Sequence, residues 1–208
     1  MTEREKMLSG ALYDPTDPEL SALRSRAHRL CRELLLTPET EGETVQSLLD
    51  ELVPHRGPGT DLNTPLFFDY GVFTSFGQCC YANVNLTVLD CAPVTNGDHV
   101  FFGPNCSLLT PVHPLLPEER RMRRRADRSL YDLEYARPIV IEDDCWIAGN
   151  VTVCGGVTIG RGTVVGAGSV VTRDLPAGVL AAGNPCRVIR PITEKDALFP
   201  AAHIDMDT

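Results

Sequence analysis

From Ile141 to Val171 every sixth residue is aliphatic: Ile141, Ile147, Val153, Ile159, Val165 and Val171. The positions between them are mostly small, polar or glycine, as in Ile159-Gly160-Arg161-Gly162-Thr163-Val164 and Val165-Gly166-Ala167-Gly168-Ser169-Val170. A strand repeats every two residues and a helix every 3.6, so neither produces an unbroken beat of six. A coil of short strands and turns does produce it, because each six-residue side returns one aliphatic residue to a narrow shared interior. Three such sides make a turn of about eighteen residues, so the clean hexads predict about two turns. The beat leaves the handedness open, since parallel crossovers are normally right-handed.

A weaker beat precedes it. Tyr70, Phe76, Ala82, Val88 and Val94 are six apart, and the phase then shifts by two to Asn96, Phe102 and Leu108. The shift predicts a small insertion or a corner irregularity, and these hexads add about two turns more. Residues 109–138 lose the beat entirely. They carry Pro111, Pro114, Pro117 and Pro138 and the basic run Arg120-Arg121-Met122-Arg123-Arg124-Arg125. A long excursion from a strict coil is costly unless it is used, so a functional loop is expected there.

Residues 1 to about 56 have a helical pattern instead. Asp17-Pro18-Glu19 offers an N-cap followed by proline at the first helical position. Leu20, Leu23, Ala27, Leu30 and Leu34 then recur at helical spacing, and Val45, Leu48, Leu49 and Leu52 share a second face. Pro54-His55-Arg56-Gly57-Pro58-Gly59 breaks the pattern as a linker. The expected organisation is a helical cap over 1–58, a coil over 59–192 with its loop at 109–138, and a tail over 193–208. The cap is too short to hold a core alone and must pack on the coil.

Composition narrows the function. The chain has 208 residues, 43% hydrophobic and 23% charged, with a formal charge of −9. That charge gives no general attraction to nucleic acid or to an anionic membrane. No apolar run is long enough to span a bilayer and no apolar h-region follows Met1-Thr2-Glu3-Arg4-Glu5-Lys6, so a cytoplasmic protein is expected. The arginine run is expected to pair with Glu118, Glu119 and Asp127 or with a neighbouring subunit. The eight cysteines match no zinc-ligand spacing; Cys106 and Cys145 sit where the coil wants small apolar side chains.

Several segments then resemble the hexapeptide-repeat acyltransferases, and within them the maltose and galactoside O-acetyltransferase branch. They are Tyr81-Ala82-Asn83-Val84-Asn85-Leu86-Thr87, His113-Pro114, Trp146-Ile147, Gly166-Ala167-Gly168-Ser169-Val170-Val171-Thr172 and Asn184-Pro185-Cys186-Arg187-Val188-Ile189-Arg190. Glu5-Lys6-Met7-Leu8-Ser9-Gly10 and Leu12-Tyr13-Asp14-Pro15 are similar to that branch's cap. The resemblance implies a left-handed parallel β-helix, an acetyl-CoA-dependent sugar O-acetyltransferase, and a homotrimer with active sites between coils. Flat coil faces bury well against each other, whereas a lone coil exposes strand edges.

Transfer of an acetyl group from a thioester to a hydroxyl needs a base, an oxyanion donor and a groove for coenzyme A. The resemblance makes His113 the base, Glu134 its orienting carboxylate and the backbone N–H of Gly149 the oxyanion donor. Asp69, Tyr81, Asn83 and Asp90 match acceptor-side positions, with Asp14 or Asp17 of the cap reaching the same pocket. Asn83 and Asn85 have a second reading, as structural turn residues. Trp146 and Ala167 would line the coenzyme A arm, with Thr172, Arg173, Arg187 and Arg190 near its phosphates. Arg173 stands where many relatives have lysine, which keeps the charge and changes the donor geometry. His28, His55, His99 and His203 are weaker candidates for the base. No metal site is expected, because a carbonic-anhydrase-like member of the fold needs three histidine ligands and the coil and loop offer only His99 and His113. The other readings are an antibiotic or serine acetyltransferase of the same fold and a non-catalytic β-helix scaffold. The scaffold would have no need of His113, Trp146 or the C-terminal arginines.

Overall fold

The computed structural model describes residues 1–199. The chain is mainly β, a parallel β-solenoid of about six turns with a helical cap. Three flat faces make its walls. Face I stacks His55–Arg56, Thr74–Phe76, Val94–Asn96, Ile139–Ile141 and Thr158–Ile159. Face II stacks Asp61–Leu62, Tyr81–Ala82, Phe101–Phe102, Trp146–Ile147, Val164–Val165 and Val179–Ala182. Face III stacks Leu66–Phe68, Leu86–Leu89, Ser107–Leu109, Thr152–Cys154 and Val170–Val171. Arg187–Pro191 closes the open end by pairing antiparallel with Val179–Ala182, which covers a strand edge.

The six aliphatic residues of the clean beat are all fully buried. Each contributes roughly 1.5–3 kcal/mol by leaving water. The earlier coils differ from the expected turn. Arg56 pairs with Phe76 and Phe76 with Asn96, twenty residues apart, whereas Ile141 pairs with Ile159, eighteen apart. The two extra residues recur in each early turn at the corner from face III to face I, as between Phe68 and Phe76. The phase shift is therefore a regular corner rather than one insertion. Tyr70 is not a coil anchor: it belongs to a second buried cluster with Met7, Tyr13, Leu20, Cys91, Ala92 and Ala136.

The other two corners turn through left-handed backbone. From face I to face II it falls on Cys79, His99 and Asp144, and from II to III on Asn85, Asn105 and Asn150. Asparagine tolerates this conformation better than most side chains. The Asn85 amide also donates to Asn105 Oδ1 at 2.9 Å, so Asn85 is a structural turn residue.

The cap comprises α1 (Glu3–Leu8), α2 (Pro18–Leu36) and α3 (Gly42–Leu52). Leu20, Ala27, Leu30, Leu34, Leu49 and Leu52 are buried as their spacing predicts. The first coil begins earlier than expected, because His55–Arg56 inside the predicted linker already pairs with Ser75–Phe76. No described helix is long and apolar enough to cross a membrane. The excursion leaves after Leu109 and returns at Ile139. It holds a strand Pro111–Val112 paired with Tyr135–Ala136, a short helix α4 (Pro117–Arg120), and a ribbon pairing Arg123–Arg124 with Leu130–Tyr131. All eight cysteines are free thiols. Burial pushes the Cys145 thiol up to about 11, and its hydrogen is directed at the Gly160 carbonyl, 3.3 Å away.

Candidate active site

The corner from face III to face I is where the cap, the early coils and the excursion meet. Its extra residues place Asp69 and Tyr70 in the first coil and Asp90 and Cys91 in the second, with His113 just beyond this corner in the third. His113 Nε2 lies 3.6 Å from Glu134 Oε2, and its Nδ1 lies 3.8 Å from Asp132 Oδ2. The imidazole is half exposed, whereas only 12% of the Glu134 side chain is accessible. Burial pushes the Glu134 carboxyl above its ordinary range, against the pull of the Tyr13 hydroxyl and the His113 charge. Asp132 and Asp69 push it further in the same direction.

Tyr13 clamps Glu134 from the cap. The two residues exchange backbone hydrogen bonds, N–H to O at 3.0 and 3.2 Å, and the Tyr13 hydroxyl donates to Glu134 Oε1. One carboxylate oxygen thus faces the phenol and the other faces the imidazole. Beside the base, Leu12, Pro114, Leu115, Leu133 and Tyr135 line a cavity of about 410 Å³.

The donor atoms of His113, Asp132 and Glu134 all lie within 4.8 Å of one another, a spacing that also admits a divalent cation. The two carboxylates, however, face different ring nitrogens, and an ion bonds only one of them. The arrangement suits an imidazole held between two anions better than a chelate.

The remaining predicted acceptor residues divide. Asp69 joins the cluster, with His28 Nε2 3.5 Å from its Oδ1 and the Cys91 thiol donating to Oδ2 at 3.7 Å. Asp90 does not: it is fully buried and accepts from Tyr70 N (2.8 Å), Phe73 N (3.3 Å) and Thr74 Oγ1 (3.0 Å). Its carboxylate fixes the corner that presents Asp69 and cannot touch an acceptor. Asp17 caps α2 by accepting from Glu19 N at 2.9 Å, and Asp14 is bonded to Arg125 and Thr16. Both line a polar cavity of about 340 Å³ with Arg125 and Asp127. Tyr81 accepts from Asn63 Nδ2 at 2.9 Å on face II, and Asn83 Oδ1 accepts from Val84 N at 2.8 Å.

The coenzyme A positions cluster elsewhere. Trp146 is 53% exposed on face II and pairs with Phe101, which is itself paired with Tyr81. At the corner from face II to face III the ladder positions are Val84, Pro104, Gly149 and Ala167. The Val84 N–H is taken by Asn83 and proline has none. Among the described residues the N–H groups of Gly149 and Ala167 donate no hydrogen bond, so two free donors stand one above the other. Thr172, Arg173 and Arg187 are exposed, and Arg187 donates to the Cys186 carbonyl at 2.7 Å. Arg190 is not free as expected: both its terminal nitrogens hold Asp196, at 2.7 and 2.8 Å.

Among the other histidines, His99 occupies a turn on the far corner and His203 lies outside the described residues. Within the arginine run the direct ion pair goes to an acid of the cap rather than to Glu118 or Glu119. Arg125 pairs with Asp14 of the cap and stacks 4.4 Å over the Tyr131 ring, and Arg120 donates to the Pro114 carbonyl. Glu118 and Glu119 pair with none of the run among the described residues. Two site residues escape sequence reasoning, Asp132 and Tyr13. The alternation of Asp132-Leu133-Glu134 is a signal for the first, since extended backbone puts both carboxylates on one side.

The chain is similar to known acetyltransferases over nearly its whole length. Residues 6–57 match the maltose acetyltransferase hexapeptide capping motif, and residues 138–173 match the bacterial transferase hexapeptide, six repeats. The galactoside O-acetyltransferase of Escherichia coli (strain K12) is 37% identical over 94% of this chain and 92% of its own. A galactoside acetyltransferase solved in complex with coenzyme A superposes with a TM-score of 0.87 at 36% identity, covering 97% of both chains. A hexapeptide-repeat acetyltransferase of Vibrio cholerae complexed with acetyl coenzyme A gives 0.82 at 37% identity, over 93% of this chain and 100% of that one. The chain therefore belongs to the hexapeptide-repeat, left-handed β-helix acetyltransferases of the maltose and galactoside O-acetyltransferase type, and is an acetyl-CoA-dependent acyltransferase.

Proposed function

We propose that this enzyme acetylates a hydroxyl of a sugar of the maltose, glucose or galactoside kind, with His113 as general base, in a cytoplasmic homotrimer. The observation that carries the reading is the His113–Glu134 pair: a half-exposed imidazole with one ring nitrogen turned to a buried carboxylate. Both substrates bind together, so no acyl-enzyme is needed. The acceptor oxygen attacks the thioester carbonyl carbon while the imidazole takes the hydroxyl proton. The carbon–oxygen bond forms, and the oxyanion accepts from the Gly149 N–H. Its collapse breaks the carbon–sulfur bond, and the imidazolium returns the proton to the departing thiolate. Glu134 stabilises the imidazolium in between.

The free N–H groups of Gly149 and Ala167 support a coenzyme A groove at the corner from face II to face III, with Trp146 as an apolar wall. Thr152–Cys154 of face III runs from that corner toward the one holding His113, which puts the two about 15 Å apart along extended chain. One chain thus carries the base at one edge and the groove at another, which favours sites shared between neighbouring subunits. Eight unpaired thiols fit a reducing compartment.

The test is release of free thiol from acetyl-CoA across maltose, glucose, galactosides, serine and chloramphenicol. Turnover with one or more of the sugars is expected; activity confined to serine or chloramphenicol overturns the sugar assignment.

A further inference from the structure

We infer that Tyr13 of the cap is a positioning residue for the acetyl transfer, acting on His113 through Glu134. The inference rests on the reading of His113 as base. The hydrogen bonds of Tyr13 reach the imidazole through the Glu134 carboxylate. Tyr13 is fully buried, and three hydrogen bonds join it to Glu134, two through the backbone and one through the phenol. The side-chain bond uses Oε1 and leaves Oε2 for the ring. Without it, Glu134 could rotate about its last torsion and present either oxygen, or neither, to His113.

The phenol also sets the charge of Glu134. Five titratable groups face that carboxylate: Tyr13 from the cap, His113 and Asp132 from the excursion, Asp69 from the first coil and Cys91 from the second. Asp132 and Asp69 disfavour its ionised form, as burial does, while Tyr13 and His113 favour it. Tyr13 is faced in turn by Cys91. Burial holds the phenol far above its ordinary range, so it stays protonated and keeps its hydrogen for Glu134. Removing that donor leaves only the His113 charge against two acids and a desolvated site, so Glu134 then holds a proton to higher pH.

The experiment compares wild type, Tyr13→Phe, Glu134→Gln and the double variant. Each is assayed by thiol release with the best sugar acceptor from about pH 5 to about pH 9. Tyr13→Phe is expected to lower kcat about tenfold at neutral pH while KM for acetyl-CoA stays within about twofold. Its acid limb should move up by about one pH unit, the scale of one charge-assisted hydrogen bond. In the Glu134→Gln background, Tyr13→Phe should add no further loss, because the two act as one unit. An unmoved acid limb, or independent losses in the double variant, overturns the inference. If Tyr13→Phe does not fold, enzyme in which fluorotyrosine replaces tyrosine carries a stronger donor, and its acid limb must move down; an unmoved limb again overturns the inference. Loss of transfer in His113→Ala beside an unmoved limb in Tyr13→Phe removes the Tyr13 role alone. Wild-type transfer in His113→Ala removes the base assignment with it.

Discussion

If the enzyme is the trimer proposed above, mixed trimers of two inactive variants should recover activity, because His113 and the Gly149–Ala167 corner lie on different edges of the coil. One variant is His113→Ala, which removes the base. The other is Ala167→Trp, which fills the groove at an exposed position of ordinary backbone and so leaves the coil intact. If each site takes His113 from one chain and the Gly149–Ala167 corner from its neighbour, an interface works only when the first chain keeps its histidine and the second its groove. Random assembly from equal amounts makes about one quarter of the interfaces competent. The mixture should therefore show about 25% of wild-type thiol release, far above either parent alone. The two variants would carry different affinity tags and be co-expressed in equal amounts; doubly tagged trimers, isolated from that mixture, each hold one competent interface of three and should show about one third of wild-type activity. Activity no greater than the mean of the two parents would refute the shared site and require base and groove to meet within one chain.

Three further outcomes follow from the same geometry. Glu134→Gln should lower kcat roughly 10–150-fold, since a hydrogen bond to a charged group contributes about 1.5–3 kcal/mol; stopped assays at saturating acetyl-CoA measure it. Ile147→Ala empties a fully buried hexad position and should cost about 3 kcal/mol of unfolding free energy, read by denaturant titration at fixed protein concentration. Preincubation with a chelator should leave the rate unchanged; a loss restored by added zinc would place a cation among His113, Asp132 and Glu134.

The clean hexads were legible because their interior positions are purely aliphatic and the residues between them are small. The early coils were less so. Their turns are two residues longer, and Tyr70 and Val94 happen to fall on a beat of six, which disguised the repeating corner as a single shift. His113 and Glu134 were legible through their motifs, and the structure brings them within reach of each other. Asp90 departs from the acceptor role because sequence cannot tell a carboxylate that faces solvent from one that satisfies backbone donors, whereas Asp17 takes the N-cap position that its Pro18 signals. Tyr13 could not be read as part of the site at all, since it meets Glu134 across 121 positions of sequence. The same holds for the link from Arg125 to Asp14, where the nearer acids Glu118 and Glu119 were the obvious partners.

The measurement that bears most directly on the account compares His113→Ala with wild type in two assays on the same preparations. One is the rate of acetyl transfer from acetyl-CoA to a sugar, with the acetylated product identified by mass. The other is calorimetric binding of coenzyme A. The account predicts that transfer falls by about a hundredfold or more while coenzyme A binds as in wild type, because the base stands apart from the groove. Transfer near the wild-type rate in His113→Ala would contradict it.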